Sequence, residues 1–127
     1  MFKKVHHSHS FYEKKRLLKA ARKVSAGLYR NLKSSRVDGE EFLHLARHGI
    51  TTVLHRKYLY FQHYLSELQK RGIDVFSAEV DLLKVPYKIK SVQVYYAEED
   101  IKYLLNLFKK ISKEFHVVVH HHFRGKK

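Results

Sequence analysis

Ile101, Leu104, Phe108, Ile111 and Phe115 recur at spacings of three, four, three and four. A helix turning once every ~3.6 residues puts all five on one face, and a strand does not. Glu98, Glu99 and Asp100 lead this segment, and Lys109, Lys110 and Lys113 lie towards its end, the polarity a helix dipole favours. The chain therefore contains an amphipathic helix that must cover one face with something else. Directly after it, His116–Phe123 contains Val117-Val118-Val119 and reads as a strand.

The preceding segments suggest what that helix covers. Leu17, Ala21, Val24, Leu28 and Leu32 predict a helix from Phe11 to Lys33. Asp38-Gly39 is a turn signal, and Glu40–His48 reads as a short helix closed by Gly49. Ile50-Thr51-Thr52-Val53-Leu54 is rich in β-branched residues and reads as a strand, or as the start of the next helix. Tyr58, Phe61, Leu65 and Leu68 form a helical stripe that stops at Lys70-Arg71-Gly72. Ile73–Val85 alternates loosely up to Pro86, and Lys88–Tyr96 alternates polar with apolar, so both read as strands. The resulting order is βαββαβ. It predicts an α+β, ferredoxin-like fold over 38–127, with two helices on an antiparallel sheet. A basic helical arm, 1–37, precedes it.

Charge directs the functional reading. The chain of 127 residues has a formal charge of +14. Residues 1–37 hold eleven Lys/Arg and one acid, a net of +10, and the remainder holds fifteen against eleven, a net of +4. Such a chain suits a polyanion, and RNA is the first expectation. The expected phosphate contacts are Lys3, Lys4, Lys14, Lys15, Arg16, Lys19, Arg22, Lys23, Arg30, Lys33 and Arg36 in the arm. Arg124, Lys126 and Lys127 form a second basic tip. No apolar run is long enough to span a bilayer, so no membrane role is expected. The chain has no cysteine, which excludes disulfides and thiolate metal sites.

Eleven histidines raise a metal-dependent alternative. On a strand, His120 and His122 point to one face. With Tyr58, Tyr60 or Tyr64 as nucleophile, that pair resembles the HUH nucleases, which cleave single strands with a divalent metal. The residue between the pair is His121 rather than a bulky apolar one, and no carboxylate lies in that strand. His44 and His48 have the spacing of a zinc pair, but Leu45-Ala46-Arg47 lacks a metalloprotease glutamate. His6, His7 and His9 read as part of an RNA-contacting arm. Neither catalytic residues nor a cofactor is expected. A DNA-binding regulator is the other alternative, with Arg56, Lys57, Gln62, Gln69 and Lys70 as a sparse reading face.

Three stretches carry a family resemblance. Tyr58-Leu59-Tyr60-Phe61-Gln62-His63-Tyr64-Leu65 runs on to Arg71-Gly72-Ile73. Leu83-Lys84-Val85-Pro86-Tyr87-Lys88-Ile89 follows, and Asp100–Val119 closes the region. Residues 50–123 thereby resemble the ribosomal proteins related to the tenth small-subunit protein, including their mitochondrial large-subunit relatives. Tyr95-Tyr96-Ala97-Glu98 leaves no room for the long hairpin of the small-subunit members, which favours an organellar relative. The resemblance implies a non-catalytic component of a mitochondrial ribosome that binds rRNA and neighbouring ribosomal proteins.

Overall fold

The computed structural model describes the backbone of residues 2–125 and the side chains of residues 13–124. Its elements are α1 (Phe2–Val24), α2 (Ala26–Ser34), α3 (Gly39–Lys70), α4 (Phe76–Leu83), α5 (Val85–Tyr95) and α6 (Glu98–Gly125). The structure is 88% helical, and no strand occurs among the described residues. The ferredoxin-like α+β expectation is therefore wrong, and each of its four strands has a physical correction.

Ile50–Leu54 lies within α3. Phe42, Ala46, Ile50 and Leu54 are all buried, four residues apart, so the helical period runs unbroken through the β-branched run. Thr51 and Thr52 donate their hydroxyls to the carbonyls of Arg47 and His48, both at 2.8 Å, the bond a helical threonine makes to the preceding turn. Gly49 does not stop the helix. A Cβ there would lie 2.7 Å from Leu28 Cδ1, so the end of the Leu28 side chain of α2 sits directly over the glycine.

Within Ile73–Val85 the chain forms α4 from Phe76, and Lys88–Tyr96 lies in α5 up to its left-handed cap at Tyr96. Val75, Ala78, Leu82, Val85, Ile89 and Val92 are buried at spacings of three, four, three, four and three. Alternation in Lys88–Tyr96 would also require Val94 inside, yet it is 63% exposed. Pro86 opens α5, where a fixed φ and a missing N–H cost nothing. His116–Phe123 continues α6. Only weak propensity opposes this, because Val in a helix gives up well under ~1 kcal/mol relative to Ala.

Other boundaries follow the sequence more closely. Gly39 and Gly72 have φ of 65° and 75°, the left-handed backbone that glycine tolerates at the two ends of α3. The expected Phe11–Lys33 helix is interrupted at Ser25, whose extended backbone and Oγ, accepting from the Leu28 N–H at 3.2 Å, start α2 afresh.

The chain divides into two compact units, residues 1–53 and 54–127, the boundary falling inside α3. The first buries Leu17, Ala20, Ala21 and Val24 of α1, Leu32 of α2, and Phe42, Ala46 and Ile50 of α3. In the second, the Ile101–Phe115 stripe of α6 is buried as its spacing predicts, against helices instead of a sheet. The Phe61 ring stacks on Phe108 at 5.4 Å, and Tyr64 meets Phe115 edge-on at 5.0 Å.

Candidate nucleic-acid interface

Burying one face of α1 decides where its cations go. With Leu17, Ala20, Ala21 and Val24 inside, Lys15, Arg16, Lys19, Arg22 and Lys23 are left exposed. Lys15, Lys19 and Arg22 share one face at helical spacing. Arg30 and Lys33 are exposed on α2, and Arg36 in the connection to α3. Lys15, Lys19, Lys23, Arg30 and Arg36 make no ion pair with a described residue. Arg22 and Lys33 each lie 5.7 Å from the Tyr29 ring centroid, which orients both without neutralising either.

Lys14 departs from the expected set. Its Nζ is 3.2 Å from Asp38 Oδ1 and 4.8 Å from the Phe42 ring, so it ties α1 to the start of α3. Arg124 is exposed near the end of α6. The side chains of Lys3, Lys4, Lys126 and Lys127, and of His6, His7 and His9, lie outside the described residues.

The helical course of 116–123 adds a second basic face. On α6, Lys102, Lys109, Lys113, His116, His120 and Arg124 are exposed at spacings of seven, four, three, four and four. At ~100° per residue they occupy one face over about 33 Å of helix. None of the six makes an ion pair with a described residue. Three of the helix's acids, Glu98, Glu99 and Asp100, fill the first turn ahead of Lys102, and Glu114 stands beside Asp81. The missed signal was the i, i+3, i+4 recurrence of Lys109, Lys113 and His116, which continues the helical period past Phe115.

The metal-dependent constellation is not assembled. A helix sets His120 and His122 about 200° apart, so they do not share a face. His120 instead stacks on His116, ring centroids 6.4 Å apart. The Tyr58 hydroxyl accepts from Gln62 at 2.9 Å, while Tyr60 and Tyr64 stack on each other at 6.5 Å. His44 and His48 are exposed on α3. Among the described residues, no three His, Asp or Glu side chains are grouped to hold a metal ion. The DNA-reading face is similarly depleted, since Gln62 is held by Tyr58, Gln69 donates to Glu79, and Lys70 pairs with Glu67. An open concavity of about 480 Å³ along α3, lined by Leu59, Gln62, His63, Leu65, Ser66 and Gln69, contains no carboxylate.

The perturbed acids hold helices together. Asp81, 4% exposed on α4, accepts from Lys84 at 3.1 Å and lies 3.2 Å from Lys110 Nζ of α6. Burial pushes its carboxyl up, but hydrogen bonds from Lys84, Glu114 and Lys110 outweigh burial and hold it below the usual range. Glu114 is pushed the other way, by burial and by the adjacent Asp81. Asp100 is held low by Ser91, 2.7 Å away, and by Lys88 at 3.2 Å, a clasp between α5 and α6. No helix among the described residues is long and apolar enough to cross a membrane. Compared with known protein families, curated proteins and solved structures, the chain has no match in any of the three.

Proposed function

We propose that this chain is a non-catalytic RNA-binding structural component of a ribonucleoprotein particle. The supporting observation is a pair of basic helix faces, Lys15, Lys19, Arg22 and Lys23 on α1 and Lys102, Lys109, Lys113, His116, His120 and Arg124 on α6, each backed by a buried apolar stripe and none of these ten in an ion pair with a described residue. Rigid rows of basic side chains, about 4.5–10.5 Å apart by helical rise, suit a phosphate backbone and carry no base-reading code. The particle we propose is a ribosome, with rRNA and neighbouring ribosomal proteins as partners and a mitochondrial location. That narrower assignment rests on the sequence resemblance alone, whose stretches here form helices.

Affinity for structured RNA measured against salt tests the proposal. Each phosphate contact contributes about 0.7–0.9 to the log–log slope. Replacing Lys19, Arg22 and Lys23 with Gln should make the slope shallower by about two to three. Replacing Lys102, Lys109 and Lys113 should do the same if α6 also lies on RNA. A slope near zero for the unaltered chain refutes RNA binding. Equal losses from any three surface lysines would mean a diffuse field, with no defined interface.

A further inference from the structure

Helices α4 and α5 have a second apolar seam on the side away from their core. Phe76, Val80, Leu83, Tyr87, Lys90 and Val94 recur at four, three, four, three and four. Phe76 is 70% exposed, Leu83 75%, Tyr87 79% and Val94 63%, with Val80 at 38%. The period crosses the α4–α5 junction because Lys84 keeps right-handed helical backbone, φ −78° and ψ −18°. The inner seam, Val75 to Val92, keeps its own register across the same junction. Two opposite seams of this spacing are one more than the unit's own core uses.

We propose that the outer seam pairs with the same seam of a second copy of this chain, the two running antiparallel. This inference does not depend on the RNA-binding reading. The spacing is that of alternating d and a positions in a heptad, the pattern that packs knobs into holes between two helices. The five apolar side chains expose roughly 500–600 Å², at the upper end of what monomers leave in water and most of the ~800 Å² per partner of a standard interface.

Charge selects the orientation. In a parallel pair, Lys90 would face the partner's Lys90 within the seam. In the antiparallel pair centred between Leu83 and Tyr87, Leu83 meets the partner's Tyr87, and Phe76 meets the partner's Val94. Lys90 then lies over the partner's Val80, and its ammonium can reach the partner's Glu79 at the rim. Glu79 is exposed and steadied by Gln69 Nε2 at 2.9 Å. Lys84, beside the two-fold axis, is already paired with Asp81 of its own chain. The rest of the rim is Ser77, Pro86, Ser91 and Gln93, so Lys84 and Lys90 are the only cations of the seam and its rim, against the rows of cations on α1 and α6. That is the surface on which two chains of charge +14 can meet.

Sedimentation equilibrium of the full chain tests this, in about 0.5 M salt to screen net repulsion. A dimer should form at micromolar concentration. Leu83→Glu or Tyr87→Glu should weaken it at least tenfold without loss of helicity. Glu79→Lys should weaken it, and Glu79→Lys combined with Lys90→Glu should restore it. Because the chain has no cysteine, mixed Leu83→Cys and Tyr87→Cys chains report register directly. They should crosslink to each other on oxidation, and Leu83→Cys alone should not. A chain still monomeric at hundreds of micromolar overturns the proposal. So does a dimer indifferent to Leu83→Glu, or Leu83→Cys linking to itself as a parallel pair would. A monomer whose seam binds a different protein overturns it as well.

Discussion

Replacing Glu114 with Gln should stabilise the protein at neutral pH and should not do so in acid. Glu114 is half-buried on α6 beside the carboxylate of Asp81, and its Oε2 is buried without a hydrogen-bond donor. Burial, then Asp81, raises its pKa above the ordinary 4.5, while Lys110 and Lys84 partly offset the effect. A carboxyl whose folded pKa is raised contributes stability that is complete below its unfolded pKa and is lost as pH rises through the folded one. Ionising Glu114 beside Asp81 is therefore harder in the folded protein than in the unfolded chain, and the site costs stability as pH rises towards 7.5. Glutamine has the shape of the protonated acid, keeps a donor for Asp81 at every pH and adds no charge. Relief of a buried unsatisfied acceptor is worth about 1–3 kcal/mol, and partial exposure with two nearby lysines reduces this to roughly 0.5–1.5. Urea unfolding followed by circular dichroism should show that gain at pH 7.5 and almost none at pH 4. Asp81 has the opposite sign: its lowered pKa gives stability present above about 3.8 and lost below, so both proteins should weaken together in stronger acid. A gain of the same size at pH 4 would refute the reasoning, because it would have to come from packing or helix propensity.

Two further substitutions probe the two cores. Phe108→Ala removes a ring that is 5% exposed and stacked on Phe61, and should cost about 3–5 kcal/mol in the same urea assay. A loss below about 1 kcal/mol would mean that α6 is peripheral to its unit. Gly49→Val places a branched Cβ 2.7 Å from Leu28 Cδ1 and should cost about 1–3 kcal/mol, recovered in part by Leu28→Ala. Gly49→Ala should be near neutral, since the end of Leu28 can swing aside and a helical Ala gains about 1 kcal/mol over Gly. Equal losses for Val and Ala would show that the close α2–α3 approach is rigid.

By itself the sequence determined the amphipathic Ile101–Phe115 face, the buried face of α1, the stop at Gly72 and the concentration of charge in the first 37 residues. These are long periodic stretches or simple sums, and no competing structure fits them. Its short apolar runs were ambiguous. Five to nine residues such as Ile50–Leu54 or Lys88–Tyr96 satisfy a period of two and a period of 3.6 almost equally, and β-branched content then tips the reading towards strand. Tertiary structure decided those cases, because burying Ile50, Ile89 and Val92 against helices outweighs a few tenths of a kcal/mol of propensity per residue. The same choice determined the candidate sites. With 116–123 helical, His120 leaves His122 and joins Lys109, Lys113 and His116 on a cationic face, and the HUH-like pair disappears. With 76–95 helical, Phe76, Leu83 and Tyr87 align into an uncovered seam. Which lysine is free and which is tied depends on neighbours distant in sequence, as Lys14 with Asp38 and Lys110 with Asp81 demonstrate. Local pattern sets which face of a helix is apolar; only packing decides what meets it, because the partner is specified by the rest of the chain.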